Sequence, residues 1–201
     1  MKITYAAALL LITGCTHPAE RVTVAPALAV SGVAKPAATA RNPLVGGADL
    51  PPDRLLAANL AGAPVLSTLT RLANASGLAD ALATGPVTLF APTDEAFGRL
   101  APGTVEALSK PDNRAALGKL VSLHLVAGRL SSVDLVRKIT AARGRATLTT
   151  IGGESLSLSL TGNVVTLADA GGNRSFVETA DVRARNGIMH VVNGVLVPRL
   201  P

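Results

Sequence analysis

The stretch from Val87 to Phe97 constrains the fold more than any other part of the chain. The apolar run from Val87 to Ala91 is typical of a buried β-strand, and Pro92 ends it because proline cannot donate a hydrogen bond to a sheet. Thr93 then occupies the position of a helix N-cap, ahead of apolar residues at helical spacing. The sequence therefore predicts a strand that leads directly into a helix.

Asp94 and Glu95 follow this cap and have two interpretations. In the first turn of a helix, each carboxylate is stabilised by about 0.3–1 kcal/mol because the helix dipole is positive there. A catalytic acid and base would have to face one substrate, whereas neighbouring residues on a helix point about 100° apart. The pattern favours helix capping over catalysis.

Two segments carry a resemblance to a known family. Thr88–Phe97 resembles the first signature segment of the fasciclin domain family, and Asn186–Pro198 resembles the family's closing segment, in the same order and at a similar spacing. The resemblance covers about residues 60–198. It implies an α+β fold in a single domain, a compact β-sandwich with surrounding helices, and a role in adhesion.

Hydrophobic periodicity predicts the same fold class independently. Helical spacing dominates the first half of the domain, and alternating or continuous apolar runs dominate the second half, which predicts an antiparallel sheet there. Helices followed by strands, without βαβ alternation, indicate an α+β domain. The predicted helices are 64–73, 78–82, 102–108, 111–123 and 131–139, and the predicted later strands are 146–151, 154–160, 164–168, 176–182 and 188–197.

The first fourteen residues have the pattern of a secretory signal peptide. Lys2 precedes an uncharged run that is too short to span a bilayer. The run ends in Ile12-Thr13-Gly14-Cys15, which resembles a bacterial lipobox and implies cleavage before Cys15 and acylation of its thiol. Thr16 after the cysteine implies, by the same resemblance, the outer membrane. An ordinary signal peptide with an incidental cysteine is the alternative.

Composition divides the rest of the chain into a tether and a domain. Residues 15–52 are rich in alanine and proline, which predicts a lipidated N-terminus followed by a disordered or extended tether. Residues 53–201 form the predicted fasciclin-like domain, after a signal peptide at 1–14. We therefore expect an exported protein of the cell envelope, anchored by lipid and facing the periplasm or the medium.

Three residues are candidates for partner binding. In animal fasciclin domains an Asp-Ile pair before the closing segment is implicated in receptor binding, and the resemblance places Asp181 and Val182 there. His124 occupies the place of the histidine in the family's Tyr-His pair, with Leu123 where the tyrosine stands. A single histidine in an apolar stretch is, alternatively, typical of a hydrogen-bonded core residue.

The sequence gives no sign of a reaction centre or cofactor. The chain has three histidines and one cysteine, a poor set for metal binding. It has no Gly-x-Ser-x-Gly motif and no glycine-rich loop followed by Lys-Ser. We therefore expect neither an enzyme nor a bound cofactor. A hydrolase that uses His124 or His190 is the enzymatic alternative.

The charge and the aromatic content of the chain indicate which class of partner it could bind. The formal net charge is +6, and one stretch carries a cluster of basic residues that would suit anionic glycans or lipid head groups, or would simply form a solvated face: Arg129, Arg137, Lys138, Arg143 and Arg145. Tryptophan is absent and the three phenylalanines are expected in the core, which argues against nucleic acid. We expect a protein or glycan partner on matrix or a neighbouring cell, besides the membrane reached through the lipid. The alternative is an envelope binding protein for a small apolar or anionic ligand.

Overall fold

Seven strands form one sheet that nearly closes on itself in the computed structural model, which describes residues 41–198. The order of the strands is β2-β1-β7-β6-β5-β4-β3. The two edges approach each other, because Val126 bridges to Thr150 and the N–H of Ile151 donates to the carbonyl of Leu125 at 2.7 Å. The strands are β1 Val87–Pro92, β2 Leu125–Ala127, β3 Arg145–Thr149, β4 Ser155–Thr161, β5 Val164–Ala168, β6 Arg174–Ala184 and β7 Gly187–Val192.

Seven helices and two single 3₁₀ turns complete these residues, and the expected α+β class is confirmed. All five predicted helical segments are helical, with bounds that differ by a few residues at their ends. The helices are α1 Leu56–Gly62, α2 Ser67–Ser76, α3 Ala79–Ala83, α4 Asp94–Gly98, α5 Thr104–Leu108, α6 Arg114–Leu123 and α7 Ser132–Ala141, and the turns are Pro64–Leu66 and Pro111–Asn113.

The strand-to-helix junction forms as the sequence predicts. β1 ends at Pro92, and the hydroxyl of Thr93 accepts a hydrogen bond from the N–H of Ala96 at 3.2 Å, which caps α4. Asp94 adds a link that the sequence did not predict. Its carboxylate accepts hydrogen bonds from the hydroxyl of Ser67 at 2.8 Å and the N–H of Thr68 at 2.7 Å, so it holds the start of α2 against α4.

The two segments that carry the family resemblance lie side by side. β1 and β7 are parallel neighbours over their whole length, from Val87 opposite Gly187 to Pro92 opposite Val192. Every other pair of strands is antiparallel. A side chain at Gly187 has no room, because a Cβ there would lie 2.3 Å from the carbonyl oxygen of Val87.

Two apolar clusters fill the interior. In one, helices α1, α2 and α6 pack on one side of β1 and β7. In the other, α7 packs against the inner faces of β3, β4 and β5 through Leu135 and Ile139, beside Phe90. In β4, Leu156 and Leu158 are buried and alternate with serines, as the Ser-Leu alternation of the sequence predicts, whereas Leu160, expected on the same buried face, is exposed at the end of the strand. The outer face of β3, β4 and β5 remains open to solvent, and the candidate surfaces lie along it and at the edges of the sheet.

The packed domain begins before the expected boundary at Asp53. Val45 and Leu50 are buried in the first cluster. Asn42 donates to the carbonyls of Leu50 at 2.6 Å and Arg183 at 2.7 Å, and accepts from the N–H of Arg183 at 2.9 Å. The tether expected at residues 15–52 is therefore wrong for residues 42–52, because scattered apolar side chains among prolines pack here. Residues 15–40, the signal peptide and Cys15 lie outside the described part of the chain.

The last strand is shorter than predicted. β7 ends at Val192, whereas the sequence predicts a strand to Val197. Asn193 and Gly194 turn the chain, and the N–H of Leu196 and of Val197 then bind side chains instead of a neighbouring strand. The short strand β2 was not predicted, because a three-residue run carries no readable alternation.

Candidate functional site

Asp181 lies at an irregularity of β6, where its pairing with β7 shifts register. Its backbone has a positive φ of 61°, which is uncommon for a residue with a side chain. The carboxylate accepts hydrogen bonds from the N–H of Ser132 at 2.8 Å and from the hydroxyl of Ser132, at the first residue of α7. Asp181 is half-buried, and its charge binds the protein's own helix.

The other two candidate partner-binding residues are inside the protein. Val182 has 1% of its surface exposed and belongs to the first apolar cluster. His124 has no exposed surface. Neither side chain can touch a partner in this conformation, so the expectation for Val182 and His124 is wrong. Alternation along β6 turns Val182 inward, and His124 follows the buried face of α6.

His124 is the hydrogen-bonded core residue that its apolar surroundings indicate. Its Nδ1–H donates to the carbonyl of Leu120 at 2.8 Å, and its Nε2 accepts from the N–H of Leu196 at 3.1 Å. Burial lowers its pKa to about 4, although the carbonyl of Leu120 and the charge of Asp169 both act to raise it. The ring is therefore neutral at pH 7 and joins α6 to the C-terminal segment.

His190, in β7, has the same structural role. Its Nδ1 accepts from the N–H of Asp181 at 3.2 Å, and its Nε2–H donates to the carbonyl of Leu130 at 2.8 Å. The ring stacks on Phe90 with centroids 5.6 Å apart. Burial is the main cause that lowers its pKa. Both ring nitrogens of both histidines are thus bound to backbone groups.

The basic stretch from Arg129 to Arg145 divides in the structure. Arg129 donates to the carbonyl of Arg185, and Arg137 pairs with Asp134 at 3.3 Å. Lys138 and Arg145 line one shallow depression at the end of α7 and the edge of β3. The expected single basic cluster is therefore several separate positions, because Arg129 precedes α7, two of the residues lie on it, and Arg145 belongs to β3.

A groove on the outer face of the sheet brings together residues that the sequence analysis did not connect. It has a volume of about 410 Å³ and is lined by hydroxyl side chains and two arginines, among them Arg145, Ser157, Ser159, Thr161, Thr166 and Arg174. The Ser-Leu alternation of β4 indicated the polar face. It could not indicate that Arg145 and Arg174 flank it, because these come from β3 and β6.

A second cavity, of about 450 Å³, lies beside α4. Its walls include Val45, Pro64 and Val191 on the apolar side, and Asp94, Glu95 and Glu178 on the acidic side. Asp94 already binds Ser67 and Thr68, and Glu95 pairs with Arg99 at 2.7 Å. Hydrogen bonds to Thr68 and Ser67 hold the pKa of Asp94 below its usual value, against the opposing effect of burial. These contacts give Asp94 a structural role, but a different one from the expected capping of its own helix, because they hold the start of α2.

The side chains and helices of residues 41–198 bear on metal binding and on membrane insertion. No group of three or more histidine, cysteine, aspartate or glutamate side chains is placed there to hold a metal ion. None of the helices in this part of the chain has the length and apolar character needed to cross a membrane.

Comparison with known proteins places the fold. The family model of the fasciclin domain matches residues 64–198. Protein sll1483 of Synechocystis is 38% identical over 140 residues, covering 69% of this chain and 70% of that protein. Immunogenic protein MPB70 of Mycobacterium bovis is 29% identical over 140 residues, covering 67% and 64%. The solved FAS1 domain pair from the insect cell adhesion molecule fasciclin I matches with a TM-score of 0.63 and 21% identity, covering 75% of this chain and about half, 52%, of that one.

Proposed function

The chain belongs to the fasciclin domain family, and from this premise we propose that it is a non-enzymatic adhesion protein of the cell envelope. Its domain presents a surface to a protein or glycan partner on matrix or on a neighbouring cell. The fold shared with a domain pair of an insect cell adhesion molecule supports this proposal. Lipid attached to Cys15 holds the protein at the outer membrane.

The hydrogen bonds of the two buried histidines are the observation that supports a non-enzymatic function. A general base needs a nitrogen free to take a proton from the substrate. In His124 and His190 both ring nitrogens are bound to backbone groups inside the protein. These hydrogen bonds support a structural role for the two residues that the hydrolase alternative requires.

Deletion of the domain tests adhesion. Cells producing residues 1–40 alone keep the signal and anchor, and we expect them to attach to matrix or aggregate markedly less than cells producing the full chain. Equal attachment of the two strains contradicts the proposal. The deletion starts at residue 41 because Asn42 already belongs to the packed domain.

Substitution of Cys15 tests the anchor separately. We expect Cys15→Ser to move the protein from the membrane fraction to the soluble fraction, because acyl chains are what hold it there. A membrane-bound Cys15→Ser variant contradicts lipid anchoring and leaves the adhesion test unaffected.

The alternative function, binding of a small apolar or anionic ligand in the envelope, makes a different prediction. A small ligand that binds only the native state raises the melting temperature in proportion to the logarithm of its concentration. We expect no such shift from monomeric compounds added to the full chain. A strong, saturable shift would support the alternative and contradict adhesion as the main function.

A further inference from the structure

The outer face of β3, β4, β5 and β6 carries two adjacent cross-strand rows of mostly polar residues. Residues that pair directly across neighbouring strands point to the same side of a sheet. The pairing registers therefore place the side chains of two rows on this face. The first row is Arg145, Ser159, Thr166 and Phe176, and the second is Thr147, Ser157, Ala168 and Arg174.

The two arginines of these rows are available for a ligand. Arg145 and Arg174 are exposed and both line the groove. Within residues 41–198, the two ion pairs involve Arg99 and Arg137. Neither Arg145 nor Arg174 forms an ion pair with a carboxylate in that part of the chain.

Asp169 also lines the groove, and among residues 41–198 it forms no ion pair with either arginine. Asp169 is buried, and its carboxylate accepts four hydrogen bonds, from the N–H of Gly171, the N–H and side-chain amide of Asn173, and the N–H of Val197. These bonds hold the carboxylate within its own loop. Asp169 therefore shapes the end of the groove and leaves the arginines free to contact an anion.

The floor of the groove offers hydroxyl groups. Ser157 and Ser159 are half-buried, and their hydroxyls make no hydrogen bond to other residues in 41–198. Thr161 and Thr166 bond to each other at 2.8 Å. A ligand with many hydroxyls would find donors and acceptors here, between two cations.

Phe176 extends the first row beyond the groove. We expected Phe176 in the core, but it is half-buried, lies outside both apolar clusters and pairs opposite Thr166 on the outer face. That expectation is wrong because the inward positions of this part of β6 are Ser175 and Val177. An aromatic ring beside hydroxyls is a surface on which the apolar face of a sugar can pack.

The distance between the arginines indicates the size of the ligand. Neighbouring strands lie about 4.8 Å apart and the two rows are offset by two residues along the strands, so the backbones of Arg145 and Arg174 are roughly 16 Å apart. A ligand that contacts both arginines with their side chains extended must reach across the two strands between them. A linear chain of several sugars can contact both arginines and the serines between them.

We propose that this groove binds a linear anionic polysaccharide. Arg145 and Arg174 contact carboxylate or sulfate groups on the chain, Ser157 and Ser159 hydrogen-bond to its hydroxyls, and Phe176 packs beside a sugar ring. The proposal deepens the proposed adhesive function and rests on it for its biological meaning, because it names the class of glycan and the surface that holds it.

Binding of the purified full-length chain to immobilised polysaccharides tests the groove. We expect saturable binding to carboxylated alginate or to dextran sulfate, weakening as salt screens the charges, and none to neutral dextran. The double variant Arg145→Gln/Arg174→Gln should bind roughly tenfold more weakly or worse, because two charge-assisted contacts are lost. The matched control Arg71→Gln/Arg114→Gln removes the same charge from exposed positions on α2 and α6 and should bind like the wild type.

A second variant separates specific contacts from general attraction to a basic protein. Ser157→Ala/Ser159→Ala leaves the net charge unchanged, so we expect weaker binding with an unchanged melting temperature. Four outcomes would each overturn the proposal. The first two are an equal loss of affinity in both arginine double variants and binding to neutral dextran. The others are equal affinity for monomeric uronate and preferential binding to anionic lipid vesicles through Arg145 and Arg174.

The two proposals fail in different experiments. If cells carrying Arg145→Gln/Arg174→Gln attach like the wild type while domain deletion abolishes attachment, polysaccharide binding in the groove is refuted and the adhesive function is supported. If domain deletion leaves attachment unchanged while the purified chain binds alginate through the two arginines, the adhesive function is refuted and polysaccharide binding in the groove is supported.

Discussion

The N–H of Leu196 donates to Nε2 of His124 at 3.1 Å, and this bond fixes the protonation state of a fully buried ring. A protonated His124 carries hydrogen on both nitrogens and cannot accept from Leu196. The same holds for His190 and the N–H of Asp181. Both rings therefore stabilise the fold only while they are neutral.

We expect the free energy of unfolding to decrease as the pH is lowered from 6.5 to 4. The pKa of His124 is about 4 in the folded state, against 6.5 as the ordinary value, so in this window the unfolded chain binds a proton that the folded chain does not. The free energy of unfolding is then highest above pH 6.5 and declines as the pH is lowered. Each pH unit costs about 1.4 kcal/mol per histidine, on the order of 3 kcal/mol for His124 over the whole window.

Urea denaturation at a series of pH values measures this dependence. His190 adds to the slope in the same direction, because burial lowers its pKa too. His124→Gln serves as the control, since glutamine does not titrate and the slope should decrease. A stability that stays constant from pH 6.5 to pH 4 would show that the rings are not held neutral as described.

Asp94 and Glu95 are sequence neighbours with different expected effects. We expect Asp94→Ala to lower the free energy of unfolding by about 1–2 kcal/mol, because it removes the bonds that hold Ser67 and Thr68 at the start of α2. Glu95→Ala should change it by less than about 0.5 kcal/mol, since its ion pair with Arg99 is exposed. Thermal and urea unfolding of the two variants compare them, and equal losses would refute the assigned role of Asp94.

Substitutions at Asp181 separate its side-chain bonds from its backbone strain. Asp181→Ala loses both hydrogen bonds to Ser132 and keeps a side chain at φ 61°, so we expect a loss of about 2–3 kcal/mol. Asp181→Gly loses the same bonds without the strain and should be about 1 kcal/mol less destabilising. Chemical denaturation measures the free energy of unfolding of the two variants and shows which is less stable. A glycine variant that is less stable than the alanine variant would contradict the backbone strain assigned to position 181.

The parts of the fold that depend on local chemistry were predictable from the sequence. The helix that follows Thr93 begins there because one hydroxyl caps it, and α7 begins at a capping box of Ser131 and Asp134. Periodicity predicted most of the order of helices and strands, but it missed helix α1 and the short strand β2. The core role of His124 followed from its apolar neighbours.

The parts that depend on distant pairing were not predictable. Nothing near Gly187 indicates that it lies against Val87 in a parallel pair, and only the register across four strands brings Arg145 and Arg174 to one groove. Residues 42–52 have the composition of a tether, yet Val45 and Leu50 find apolar partners in the first cluster. Each of these features is set by residues far away in the chain.

Competition by soluble protein tests the central claim most directly. If the domain is what attaches the cell, an excess of purified Cys15→Ser chain should occupy the partner and reduce, with saturable dose dependence, the fraction of producing cells retained on matrix under flow. The same concentration of heat-unfolded chain is the control and should have no effect. Retention that is unchanged by a saturating excess of folded chain would contradict adhesion through this domain.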